Sequence, residues 1–163
     1  MATKTASQPM TIKVDTREQL PYDFKSVKSP VVPFAVFRDT LETGDYSVEA
    51  PLTATKADMI VIERKSLADL YSTLGHGRDR FEREFQRMSE YGYAALVVEA
   101  TWEQIAEPNK YLKHPTLMVP KTVVATLVAW SQRYGVHVFT CPGRVFAERL
   151  TYRLLERWAR DHS

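Results

Sequence analysis

The amino-acid sequence predicts an α/β fold, a mixed central sheet flanked by helices on both faces, and three observations carry that expectation. Ala94-Ala95-Leu96-Val97-Val98 and the run 136–139 are apolar, as strands buried on both sides must be. Between such runs, apolar residues recur at helical spacing, as in Phe81, Phe85 and Met88 and again in Leu127, Trp130 and Tyr134. Hydrophobic residues make up 44% of 163, enough for one core of single-domain size.

Taken in order, residues 1–9 are polar and read as a flexible lead-in, leaving 10–163 as one domain. Met10-Thr11-Ile12-Lys13-Val14 alternates apolar and polar residues and predicts a strand over 10–14. Strands follow over 34–38 and 45–49, and the short link 40–44 suggests a hairpin between them. Met59-Ile60-Val61-Ile62 predicts a strand over 58–64, and the apolar runs above predict strands over 94–99 and 136–140. Helices are expected over 66–73, 79–91, 102–106, 120–134 and 143–161. Pro120 suits a first helical turn, and Gly135 sits where a helix-terminating glycine belongs. The proline-containing stretch 107–120 is the one long irregular segment, expected to overhang a substrate groove.

Composition narrows the function. No apolar run approaches the roughly 18 residues that span a bilayer, and the N-terminus lacks a signal-peptide core, so neither a membrane nor a secreted protein is expected. One cysteine, Cys141, excludes an internal disulfide and a cysteine-rich zinc site, and it fits a reducing compartment. A bound metal would therefore be held by oxygen. A net charge of +2 says little by itself. Its distribution says more, because Arg78, Arg80, Arg83 and Arg87 fall within ten residues, interleaved with Asp79, Glu82 and Glu84. Arg149, Arg153 and Arg157 recur every four residues on one face of the last helix, flanked by Glu148 and Glu156, as surface or dimer-contact arginines would.

The most informative stretch is Glu63-Arg64-Lys65-Ser66-Leu67-Ala68-Asp69, three adjacent charges directly after an apolar strand. Strand alternation projects Glu63 and Lys65 to one side and Arg64 to the other. A carboxylate and an ammonium sharing one pocket suit phosphodiester hydrolysis, the acid holding a divalent cation and the amine steadying water or developing charge. Magnesium commonly uses one or two carboxylates and keeps several waters. Further acids stand in Val14-Asp15-Thr16-Arg17-Glu18, in Gly44-Asp45-Tyr46 and at Asp69.

In this order and approximate spacing, Asp15-Thr16-Arg17-Glu18, Gly44-Asp45 and Glu63-Arg64-Lys65-Ser66-Leu67-Ala68-Asp69 resemble the XPF-type structure-specific endonuclease domain. That family carries a D-x-R-E element, then G-D, then E-R-K-x-x-x-D. Leu74-Gly75-His76-Gly77-Arg78-Asp79-Arg80-Phe81 looks like a slightly expanded form of its glycine-arginine-phenylalanine segment. The similarity covers roughly residues 10 to 140 and implies a restriction-endonuclease-like core. It also implies a metal-dependent endodeoxyribonuclease acting at branched, flap or fork DNA. By resemblance the catalytic set is Asp15, Glu18, Asp45, Glu63, Arg64, Lys65 and Asp69. Mg2+ or Mn2+ would be held by Asp45, Glu63 and the Arg64 backbone carbonyl, with Asp15 helping through water, and Arg17, Arg78, Arg80 and Arg83 would contact phosphates.

Family members that cut junctions usually carry a tandem helix-hairpin-helix module after the nuclease domain, and no Gly-x-Gly hairpin sequence follows it here, Gly143 being the last glycine. The expectation is either an excised nuclease domain or a compact stand-alone enzyme, with a homodimer through the last two helices and any accessory protein unspecified. Localisation would be cytoplasmic in a bacterium or phage and nuclear for a eukaryotic domain. Other readings stay open at this stage: a catalytically silent DNA-binding or dimerisation scaffold, or another restriction-like nuclease such as a junction resolvase. Individual residues also have plainer roles available. Asp45 can be a turn former, Asp69 a helix N-terminal acid, Arg17 and Glu18 a pair, His76 and His114 surface residues, and Trp102, Trp130 and Trp158 core or interface aromatics.

Overall fold

The computed structural model describes residues 9–163, so the expected lead-in lies, Pro9 apart, outside the described residues. The elements are β1 (Met10–Asp15), β2 (Phe34–Asp39), β3 (Tyr46–Val48), β4 (Ile60–Lys65), α1 (Leu67–His76), α2 (Arg78–Met88), β5 (Tyr93–Val98), α3 (Trp102–Ala106), α4 (Pro120–Tyr134), β6 (His137–Thr140) and α5 (Arg144–Asp161). Single tighter helical turns occur at Lys56–Asp58 and Pro108–Lys110.

Six strands form one mixed sheet in the order β2-β1-β3-β4-β5-β6. β3 runs antiparallel to β1 and β4, while β1 and β2, β4 and β5, and β5 and β6 are parallel pairs. The expected hairpin is therefore corrected: β2 and β3 do not pair, because β1 lies between them. Burial explains the order. Met10, Ile12 and Val14 of β1 are buried, whereas β2 is exposed at all but its first position and suits the sheet edge. The link 40–45 then has to cross the end of β1, and this crossing places Asp45 beside Asp15, whose N–H donates to the Asp45 carbonyl at 2.8 Å.

The sheet divides two cores. On one side Ile60 and Ile62 of β4 pack with Tyr22, Phe24, Tyr46, Tyr152 and Leu155, so α5 and the 20–33 segment cover that face. On the other, Val61 packs with Leu70, Leu74, Phe81, Phe85, Leu127 and Trp130 of α1, α2 and α4. Phe81, Phe85 and Trp130 meet edge to face at centroid distances of 5.2 to 5.9 Å. Pro120 opens α4, and Gly135 closes it in the left-handed conformation, at φ 64°. No helix among the described residues is long and apolar enough to cross a membrane.

Candidate active site

The last three residues of β4 lie where the sheet's two faces diverge chemically. Glu63, on the α2 side, is buried, and its Oε1 lies 2.8 Å from Lys65 Nζ. Lys65 Nζ also stands 5.3 Å from the centre of the Phe81 ring, so α2 packing limits where the amine can go. Asp45 reaches the same strand end from the neighbouring strand: its N–H donates to the Ile62 carbonyl, and its Oδ2 accepts the Arg64 N–H at 2.8 Å. Gly44 makes this approach possible. Its φ is 76°, and a β-carbon there would collide with Val61 Cγ2 and lie 3.1 Å from the Ile62 carbonyl oxygen.

Electrostatics set this pocket apart. Burial, and then the charge of Glu18, push the Asp45 carboxyl up to about 6 against the relief given by the Arg64 N–H. Burial, and then the Asp45 charge, hold Glu63 well above the usual carboxylate range. Burial disfavours the Lys65 ammonium, yet Glu63 and Asp45 outweigh it and keep the amine protonated. Glu84 of α2 adds negative charge felt by Asp45, Glu63 and Lys65. Three carboxylates thus share one ammonium, with the exposed Arg17 guanidinium, itself paired to Asp15, also feeling Asp45 and Glu84.

That imbalance fits a hard divalent cation. Asp45 and Glu63 offer oxygen alone, and among the described residues no group of three or more histidine, cysteine, aspartate or glutamate side chains is arranged to hold a metal ion. Two carboxylates are a donor set that magnesium commonly completes with waters, whereas a structural zinc site takes four protein ligands. Cys141 is buried in the opposite core, away from these residues.

Arg64 points to the other face and is held there. Its Nε and Nη2 donate to Glu99 at 2.6 and 3.1 Å, and its Nη1 lies 3.5 Å from Glu18. Glu99 also accepts from the Tyr22 hydroxyl at 2.7 Å and from Arg144 at 3.3 Å. Arg64 and Arg144 stack on the Tyr22 ring, at 5.6 and 4.8 Å from its centre. Burial opposes the Glu99 charge, but the Arg64 and Tyr22 hydrogen bonds lower its pKa nonetheless.

The remaining expected residues fall in several places. Asp15 is buried, and its carboxylate accepts from Arg17 at 2.8 Å and from the Leu41 N–H at 3.0 Å, so it braces the link that carries Asp45. Asp69 is exposed on the first turn of α1, where its N–H donates to the Ser66 cap. Arg80 and Arg83 are exposed on α2, whereas Arg78 donates to the Thr126 hydroxyl at 3.0 Å and lies over the Trp130 ring at 5.0 Å. Sequence reasoning missed Glu84, Glu99, Tyr22 and Arg144. Glu99 carried a usable signal, since it follows Val97-Val98 just as Glu63 follows Val61-Ile62. His76 and His114 are exposed, and Trp130 belongs to the core.

The architecture is shared with solved structures. XPF from Aeropyrum pernix superposes with a TM-score of 0.60 at 22% identity over 92% of this chain and 63% of that one. The structure titled XPF from Aeropyrum pernix, complex with DNA, gives 0.61 at 20% identity over 93% and 65%. The chain thus spans just under two thirds of the XPF chains it matches. No curated protein sequence matches the chain. The ERCC4 domain model matches residues 14–154, which include every residue of the Asp45, Glu63 and Lys65 pocket and of the Arg64 clamp. An acid-rich strand end, this sheet order and that match agree: the chain belongs to the ERCC4 domain family, as an XPF-type nuclease domain.

Proposed function

We propose that this protein is a Mg2+- or Mn2+-dependent endonuclease that hydrolyses phosphodiester bonds in DNA at branches, flaps or forks. The observation that carries the reading is the excess of carboxylate at the end of β4, where buried Glu63 and half-buried Asp45 and Glu84 outnumber Lys65, while the exposed Arg17 that also feels Asp45 and Glu84 is committed to Asp15. Asp45, Glu63 and the Arg64 carbonyl would hold the cation; in a strand that carbonyl shares the side of the Arg64 N–H, which meets Asp45. When bound, the ion polarises a phosphoryl oxygen and lowers the pKa of water.

The chain's own residues do the rest. Lys65, protonated and tethered to Glu63, orients the attacking water and neutralises charge that grows on the phosphate oxygens in the transition state. Arg64, fixed by Glu99 and Glu18, keeps the end of β4 rigid, so that Glu63 and Lys65 hold their geometry. Asp15 and Arg17 anchor the 40–45 link that presents Asp45. Asp69, early in α1, organises the site rather than ligating the cation, at a helix start held by the Ser66 hydroxyl, which accepts the Asp69 N–H. Arg80 and Arg83 place the phosphate backbone, a contact that carries no base sequence and so favours recognition of DNA shape. A homodimer through the last two helices belongs to the same reading; exposed Val145 and Phe146 on α5 offer it an apolar contact, while exposed Val128 on α4 lies on the other side of the sheet.

The test is incubation with end-labelled flap, fork, duplex and single-stranded DNA in magnesium and in chelator. Magnesium-dependent cutting of branched DNA, abolished in Asp45→Ala and Glu63→Ala with binding retained, is the expected outcome. Binding without cutting in any divalent metal contradicts it and selects a scaffold role. Light scattering that shows a monomer at micromolar concentration contradicts the dimer.

A further inference from the structure

Arg78 looks in sequence like one member of a row serving the cleaved strand, but its side chain occupies a different place. α2 advances about 100° per residue, so Arg78 lies roughly a third of a turn around the helix from Glu84, which feels the catalytic acids. It lines a shallow groove of 490 Å³ between α2 and α4, with Lys121, Arg133, Thr122 and Thr126. Glu82 is the one acid lining this groove, and it is engaged already, accepting from Arg133 at 3.1 Å and from the Tyr134 hydroxyl at 2.8 Å. Among the described residues neither Arg78 nor Lys121 has a carboxylate partner.

Arg78 is also held in place. The Thr126 hydroxyl accepts one of its N–H groups, and the Trp130 ring, itself buried, supports the guanidinium plane. A solvated surface arginine samples many rotamers. One that is stacked and hydrogen-bonded without a counter-ion has lost that freedom before any ligand arrives, which favours binding to an anion. The groove is open, with Ala125, Ala129 and Trp130 among its lining, and the cations and hydroxyls beside them match successive backbone phosphates rather than a base edge.

We propose that the α2/α4 groove is a second backbone-binding track, taking phosphates of a DNA segment other than the strand at the catalytic acids. This inference rests on the nuclease reading and deepens it, because two tracks on separate sides of α2 would engage two arms of a branched molecule. It assigns Arg78 and Lys121 as the principal contacts, with Arg133 following when Glu82 releases it.

Fluorescence anisotropy in chelator, with a labelled fork and a labelled single strand over a salt series, tests this on the full chain. Lys121→Ala, an exposed position, and Arg78→Gln should each weaken fork binding about fivefold. Each should also reduce the slope of log K against log salt by about 0.9, the value for one lost phosphate contact. Lys25→Ala, outside the groove and paired with Asp23, should change neither. The single strand should lose little affinity. Wild-type slopes and affinities in both groove variants overturn the proposal, and an equal loss on fork and single strand overturns the separate track. A protein that binds no DNA sinks the nuclease reading as well, whereas normal DNA binding with unaltered slopes sinks the groove alone.

Discussion

The two faces of β4 carry the same kinds of charge and settle them in opposite ways. On the α5 face, Arg64 and Arg144 meet Glu18 and Glu99, two cations against two anions, with the Tyr22 hydroxyl completing the set. On the α2 face, Lys65 meets Asp45, Glu63 and Glu84, and Arg17, which also feels Asp45 and Glu84, is exposed and already paired with Asp15. The first arrangement is closed and needs nothing further. The second is electrostatically incomplete, and burial makes the deficit expensive. Adjacent residues of one strand are thus set apart: Arg64 is tied into the scaffold, and its neighbours Glu63 and Lys65 are the groups proposed to receive a cation and a phosphate.

This contrast can be broken from the catalytic side first. Glu63→Ala or Asp45→Ala should lower magnesium-dependent cleavage by about 10³-fold, the several kcal/mol of charge stabilisation expected of a metal ligand. Circular dichroism and DNA binding should remain near wild type. Loss of the fold in these variants would show instead that the acids are structural.

From the clamp side, Glu99→Ala leaves Arg64 buried without its bidentate partner and should cost about 3 kcal/mol of stability, read by urea denaturation. Cleavage should fall with it, since Arg64 then frees the strand end. Arg64→Lys should fare little better, because an ammonium cannot reproduce two parallel bonds to Glu99. Stability unchanged in Glu99→Ala would contradict a closed clamp.

Acidity separates the faces next. The folded-state pKa of Asp45, about 6, lies above its ordinary value of 3.8, so the folded state holds the proton more tightly than the unfolded chain. Stability from this group is complete below about pH 4 and is lost as pH climbs through about 6. In chelator, Asp45→Asn should therefore gain on wild type as pH rises from 4 to 7, by something of the order of 3 kcal/mol. Saturating magnesium should narrow that gap by stabilising wild type more than the variant. Denaturation curves at several pH values read both effects, and parallel curves contradict the charge deficit.

The smallest effect sharpens the role of burial. Arg157 and Asp161 form a 2.8 Å ion pair on the exposed face of α5. Arg157→Ala should shift stability by no more than about 0.5 kcal/mol, against the larger loss in Glu99→Ala. Similar losses in the two variants would show that bond geometry, rather than removal from water, sets the strength of the clamp.

Much of this architecture could be read from residue order. Apolar runs located β4, β5 and β6, although β6, expected to be buried on both sides, is a half-exposed edge strand, and the spacing of Phe81, Phe85 and Met88 located the buried face of α2. Alternation along β4 correctly sent Glu63 and Lys65 to one side and Arg64 to the other. The pairing of β2 was misread, because a short link is compatible with a hairpin and with a crossing over an intervening strand. Which one forms depends on the burial of β1, a property of the whole sheet. Glu84 was invisible as a contributor, since nothing in Arg83-Glu84-Phe85 says which way the helix turns that carboxylate. Arg78 was placed by proximity in sequence, and only the packing of α2 on α4 reveals its ring and hydroxyl partners.

The most direct measurement of the central claim is calorimetric titration of Mn2+ into the metal-free protein at neutral pH, beside Glu63→Gln and Asp45→Asn. The charge deficit on the α2 face predicts one ion per chain in wild type, with affinity lowered at least tenfold in both variants. No heat of binding in wild type, or equal affinity in all three proteins, would contradict it.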